Sequence, residues 1–175
     1  MLRAGVLVAA ALVAANCTST LDEPAVVEVI REGMTAEQTA FMPQPPVCPG
    51  PVSATVREEL LGRAPRVLGA YFTSPQLETD IERVNRIVTD PKGGPACLYG
   101  AGVDWVHLDG VATSGTTTVA TGQVRIWSRI AQWQTRGPQM AEPHNTLNAN
   151  FSLVRSGGRW LISHYDWKFA PGSEP

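Results

Sequence analysis

From Cys97 onward apolar and polar residues alternate with a period of two, in a run rich in β-branched and aromatic types and broken by turn signals. That pattern predicts strands. They are expected over 98–108, ending at Asp109-Gly110; over 116–131, following Ser114-Gly115; over 146–155, ending at Ser156-Gly157-Gly158; and over 159–169. Turns this short make an antiparallel meander. Gly122 interrupts the second strand and is the expected bulge where the sheet bends.

Ahead of the strands the spacing is helical. Leu60, Leu61, Ala64, Val67, Leu68, Tyr71 and Phe72 recur every three to four positions behind a Thr55/Glu58 capping pair. Pro65 removes one backbone donor and crowds the preceding turn, so this helix is expected to kink or split near Arg63-Ala64. Ser74 as N-cap and Pro75 at the first helical position open a second stripe, Leu77, Ile81, Val84 and Val88, which stops at Asp90-Pro91. Helices followed by strands predict an α+β domain over 53–170. Its helices, the first one bent, cover one face of a curved four-stranded antiparallel sheet. Residues 171–175 form a tail.

The N-terminal region reads differently. One charge, Arg3, precedes an apolar run from Ala4 to Ala15, the pattern of an export leader over 1–17. The run is too short to span a bilayer core, which needs about 20 residues. Val13-Ala14-Ala15 suits ordinary cleavage and release. Cys17 suits instead a bacterial lipoprotein whose thiol carries the anchor and attaches the chain peripherally to the membrane; Ala14 and Asn16 depart from the usual lipoprotein pattern. Residues 18–52 hold Pro24, Pro43, Pro45, Pro46, Pro49 and Pro51 and read as a proline-rich tether. Within it a short helical or extended piece at Val26–Ile30 and a capping box at Thr35–Gln38 are the only local signals.

Composition narrows the function classes. The chain has 175 residues, 43% of them hydrophobic, and three cysteines. That suits one globular domain behind a leader. With Cys17 set aside, Cys48 and Cys97 would pair in an oxidising compartment, closing a loop that stabilises the fold by about 4 kcal/mol; two free thiols are the alternative. A formal net charge of -2 with no basic run gives nucleic acid nothing to bind. His107, His144 and His164 are scattered and the thiols lack paired spacing, so no metal site is expected, nor any cofactor.

The segment Val154-Arg155-Ser156-Gly157-Gly158-Arg159-Trp160-Leu161-Ile162-Ser163-His164-Tyr165 resembles the last hairpin of nuclear transport factor 2-like domains, the cone-shaped ketosteroid isomerase-like superfamily. The likeness covers roughly residues 55–169. It implies a sheet curved around helices with an open-mouthed pocket, used for catalysis, for a ligand or for pairing with another protein. The family's catalytic residues do not carry over. Tyr71 is the only residue that matches a catalytic tyrosine in place, and no Asp motif follows the helices.

The candidate chemistry lies on strands. His164 and Asp166 are two residues apart and so share a face, with Trp160 and Ile162, as base and orienter or as a polar wall. Tyr99, Trp105 and His107 share another face, an aromatic wall suited to a small apolar ligand. Arg125, Trp127 and Arg129 alternate onto a third, a candidate surface for a partner or an anion. Two readings follow. One is a non-catalytic envelope or secreted module that binds a partner protein of the envelope or a small apolar ligand through the cone mouth, with pairing to a second copy through the sheet as an alternative. The other is an enzyme or carrier with a pocket around His164, Asp166 and Tyr99. A closed cavity with those groups converging in it favours the second; a filled core with an exposed aromatic patch favours the first.

Overall fold

The computed structural model describes residues 22–46, 51–90, 98–134 and 137–174. The leader and all three cysteines, Cys17, Cys48 and Cys97, lie outside these residues.

Three helices precede five strands: α1 (Glu23–Thr39), α2 (Ala54–Leu68), α3 (Gln76–Thr89), then β1 (Leu98–Ser114), β2 (Thr117–Gln134), β3 (Gly137–Ala141), β4 (His144–Ser156) and β5 (Arg159–Phe169). The curved sheet is antiparallel, ordered β1-β2-β4-β5, with β3 paired to the far end of β2. The α+β architecture is the one expected, with one helix and one short strand more.

The extra helix overturns the tether over its central part. Asp22 caps α1 by accepting from the Ala25 amide, and Pro24 sits in the first turn, where a missing N–H costs nothing. Val26, Ile30 and Met34 recur at helical spacing and are buried in the main core. Thr35 and Gln38, read as a capping box, lie in the last two turns of α1; their side chains donate back to the Arg31 and Met34 carbonyls. After α1, Met42 packs with Leu98 and Ala101, and Arg63 donates to the Met42 carbonyl at 2.6 Å. The domain therefore begins thirty residues earlier than its helical periodicity suggested.

α2 starts at a Ser53 cap rather than at Thr55 and runs unbroken through Pro65, which falls in the last turn. It ends at Leu68, so Tyr71 and Phe72 leave the helix. The Tyr71 carbonyl accepts from the Ile162 amide at 2.8 Å, and the Thr73 amide donates to the Ile162 carbonyl at 3.0 Å, stitching this turn to the edge of β5. The expected Asp109-Gly110 turn is instead a bulge inside a longer β1, and the reversal comes at Gly115, whose φ is +61°. Gly122 is buried on β2 opposite that bulge; a Cβ there would lie 2.1 Å from the His107 carbonyl oxygen. The core between helices and sheet is closed by Phe72, Phe151, Leu60, Leu68, Leu147, Leu153 and Ile162, each at most 1% exposed.

Candidate functional site

Inside the cone the residues that matter are ones the sequence did not single out. Glu37 continues the buried stripe of α1, and Gln76 and Asp80 continue that of α3, at 3%, 7% and 2% exposure. The Tyr165 hydroxyl donates to Glu37, and Arg83 forms an ion pair with the same carboxylate. Arg83 also lies 3.9 Å from Asp80, which accepts from the Gln76 amide at 3.1 Å, while Gln76 accepts from the Tyr165 backbone at 3.3 Å. Burial, reinforced by the Glu37 charge, pushes the Asp80 carboxyl up to about 6. The same two causes hold the Tyr165 phenol well above its usual value. One guanidinium thus serves two buried carboxylates. The space around them is filled by side chains, with Tyr165 stacked 5.8 Å from Phe151 and tilted 6.3 Å from Phe72. The network locks α1 and α3 to β5.

The His164–Asp166 pocket is not formed. Ser152 pairs with His164 but Leu153 pairs with Ile162, so Ser163 is a bulge that switches the faces of β5. Ile162 and Tyr165 both reach the core, and His164 and Asp166 are exposed on the outer face. Asp166 accepts from Asn150 at 3.1 Å. Tyr99 lies on β1, the opposite edge of the sheet, so these three groups do not converge. Trp160, half-buried, is separated from them by the bulge and lines a groove of about 450 Å³ with Tyr71, Val29, Glu32 and Arg155.

The outer face instead gathers the other candidates. β1 carries bulges at Tyr99, Asp104 and Asp109. Trp127 lies flat over Gly100 and Gly102; a Cβ at either would come within 3.2 Å of the indole. Asp104, turned outward by its bulge, receives His144 Nδ1 at 2.7 Å and lies 3.4 Å from Arg125. Glu142 binds Arg129 at 2.7 Å and approaches His144 at 3.6 Å. Trp105 and Tyr99 flank this patch at 37% and 47% exposure. His107 stands 3.6 Å from Asp109, not against Asp104. Alternation alone brought Arg125, Trp127 and Arg129 together on one face; their acidic partners come from bulge and loop positions that alternation does not reach. Among the described residues no group of His, Cys, Asp and Glu could hold a metal, and no helix is long and apolar enough to cross a membrane.

No family model matches the chain, and no curated protein sequence is similar to it. Among solved structures it is similar to the intermembrane-space region of the chloroplast protein ARC6, with a TM-score of 0.54 and 12% identity, covering 86% of this chain and 99% of that one. An Ntf2-like protein involved in plasmid conjugation aligns at a TM-score of 0.43 and 9% identity, over 87% of this chain and 51% of that one. At such identities the first likeness speaks for the fold alone.

Proposed function

We propose that this chain is an exported, non-catalytic module of the nuclear transport factor 2-like kind that binds a partner protein through the outer face of its sheet. The observation that carries this is the Arg125–Trp127–Arg129 surface. The indole is seated on two glycines and each arginine is braced by a carboxylate, at 3.4 Å from Asp104 and 2.7 Å from Glu142. Interface hot spots are enriched in Trp, Tyr and Arg, and groups already held in place lose less entropy on docking. Meanwhile the interior, where a cone-shaped enzyme would hold its substrate, is packed with Phe72, Phe151 and Tyr165.

The leader over 1–17 supports export, with the mature chain either anchored through Cys17 or released. A photo-crosslinking residue at Trp105 should yield adducts of defined mass in the cell envelope, lost on Trp127→Ala, while the same probe at exposed Glu59 of α2 yields none. Light scattering of the purified chain separates a second copy from a different protein as the partner. Equal adducts from both probe positions would sink the assignment of this face.

A further inference from the structure

Next to the aromatic patch, the outer face changes character. The outward residues of three strands stand in two register rungs: Thr121, Asn150 and Asp166 form one, and Gln123, Asn148 and Lys168 the other. Neighbouring strands are about 4.8 Å apart and same-face residues about 7 Å apart along a strand, so the rungs make a grid of polar tips. Each rung is internally fixed, Gln123 donating to Asn148 at 3.0 Å and Asn150 to Asp166 at 3.1 Å. Over this grid, at the bend marked by Gly122 and the Asp109 bulge, lies a cleft of about 550 Å³. Asp109 and Lys168 complete its wall, while Trp167, paired with core-facing Ala149 and edge-on to Phe169 at 5.2 Å, turns its indole to the other face of β5.

From this geometry we infer a binding site for an uncharged, hydroxyl-rich ligand, a short neutral glycan. The Thr121 hydroxyl and the Asn148 and Asn150 amides bring both donors and acceptors to the cleft, and a hydroxyl serves either, whereas a carboxylate or phosphate only accepts. Asp109 and Asp166 repel an anion, with only Lys168 to offset them. An apolar ligand would strip water from the amides and return no hydrogen bond, at a cost of about 1–3 kcal/mol for each group left unpaired. The volume is within the ~300–1,000 Å³ of small-ligand sites.

The test is an NMR titration of the full chain with neutral oligosaccharides, namely maltotriose, cellotriose and N-acetylchitotriose, and with oligogalacturonate as the anionic arm. At least one neutral ligand should give saturable shifts at the side-chain amides of Asn148 and Asn150 and at the backbone amides of Thr121 and Lys168. Asn148→Ala and Asn150→Ala, both on the sheet surface, should each weaken binding by about tenfold, and Trp127→Ala should leave it unchanged. Circular dichroism checks that the variants fold; if one does not, Thr121→Val with its shift pattern takes its place. Silence from every neutral ligand, equal shifts from the uronate, or binding indifferent to both cleft substitutions would overturn the inference. None of those outcomes touches the partner-binding face, which is read by crosslinking at Trp105.

Discussion

Asp80 offers the sharpest test of how the interior is held. Its side chain is 3% exposed, one oxygen accepts from Gln76, the other has no partner among the described residues, and Arg83 at 3.9 Å is committed mainly to Glu37. Burial and the Glu37 charge therefore raise its pKa to about 6, against about 3.9 in an unfolded chain. A folded-state pKa above the unfolded one means that the native protein holds the proton more tightly. The associated stability is fully present below about pH 4 and is lost as pH rises through about 6. A shift of roughly two units corresponds to about 3 kcal/mol in all, of which about 1.3 kcal/mol falls between pH 5 and 7.

Asp80→Asn removes the charge while retaining an oxygen for Gln76. It should stabilise the protein at pH 7 by about 1–3 kcal/mol and flatten the change between pH 5 and 7. Urea unfolding of both proteins at pH 5, 6 and 7, with m-values compared, measures this. Every other titratable group is common to both proteins and cancels in the difference. If the variant is less stable at pH 7, or if both curves share one slope, the carboxylate is not a buried, under-compensated charge and the reasoning fails.

Other outcomes follow from single contacts. Tyr165→Phe should cost about 1–3 kcal/mol by leaving the buried Glu37 carboxylate with Arg83 alone, and the loss should shrink in Glu37→Gln, a coupling read from a double-mutant cycle. Gly122→Ala drives a Cβ to 2.1 Å from the His107 carbonyl oxygen, backbone that cannot move aside without opening the β1–β2 ladder; a loss of about 3 kcal/mol or a failure to fold is expected by chemical denaturation. Cys48 and Cys97 should be found bridged by mass spectrometry of a non-reduced digest, since Met42, six residues before Cys48, already packs with Leu98, the neighbour of Cys97; replacing either should cost about 2–5 kcal/mol. Free alkylation of both thiols without reductant would refute that pairing.

Which parts of this were legible follows from what each signal depends on. Periodicity within one element is local, so the stripes of α2 and α3 and the alternation of β2 and β4 could be read directly, and with them the outer placement of Arg125, Trp127 and Arg129. Proline is ambiguous without its position. Pro24 starts α1 rather than breaking a helix, and discounting the region hid both the helix and Glu37. Gln76 and Asp80 were hidden by chemistry: they occupy the buried line of α3 at the spacing of Val84 and Val88, but polar residues on a stripe read as its edge. Nothing local marks Ser163 as a bulge, and that single extra residue moved His164 and Asp166 from a supposed pocket to the surface.

β1 shows how far such irregularities carry function. Its core-facing residues are Ala101 and Val103, then Val106 and Leu108, then Val111, a spacing of two and three in turn rather than a strict two. Each three is a bulge, at Asp104 and Asp109, with Tyr99 a third before them. A bulge at every fifth residue lets a seventeen-residue strand coil around the helices while returning an apolar side chain to the core each time. It also ejects the extra residue outward. Those ejected residues are Tyr99 beside the aromatic patch, Asp104 holding Arg125 and His144, and Asp109 at the polar cleft. The two-three spacing is visible in the sequence once alternation is allowed to slip. It also explains why Asp104 and His107, three apart, both face outward and still do not meet: the bulge restores the face, but Asp104 is drawn across the sheet to Arg125 on β2 and His144 at the start of β4. The curvature that closes the core and the surface proposed to meet a partner are thus set by the same three residues. Deleting Asp104 should accordingly unseat Arg125 and shift Ala101 and Val103 out of phase with the core together.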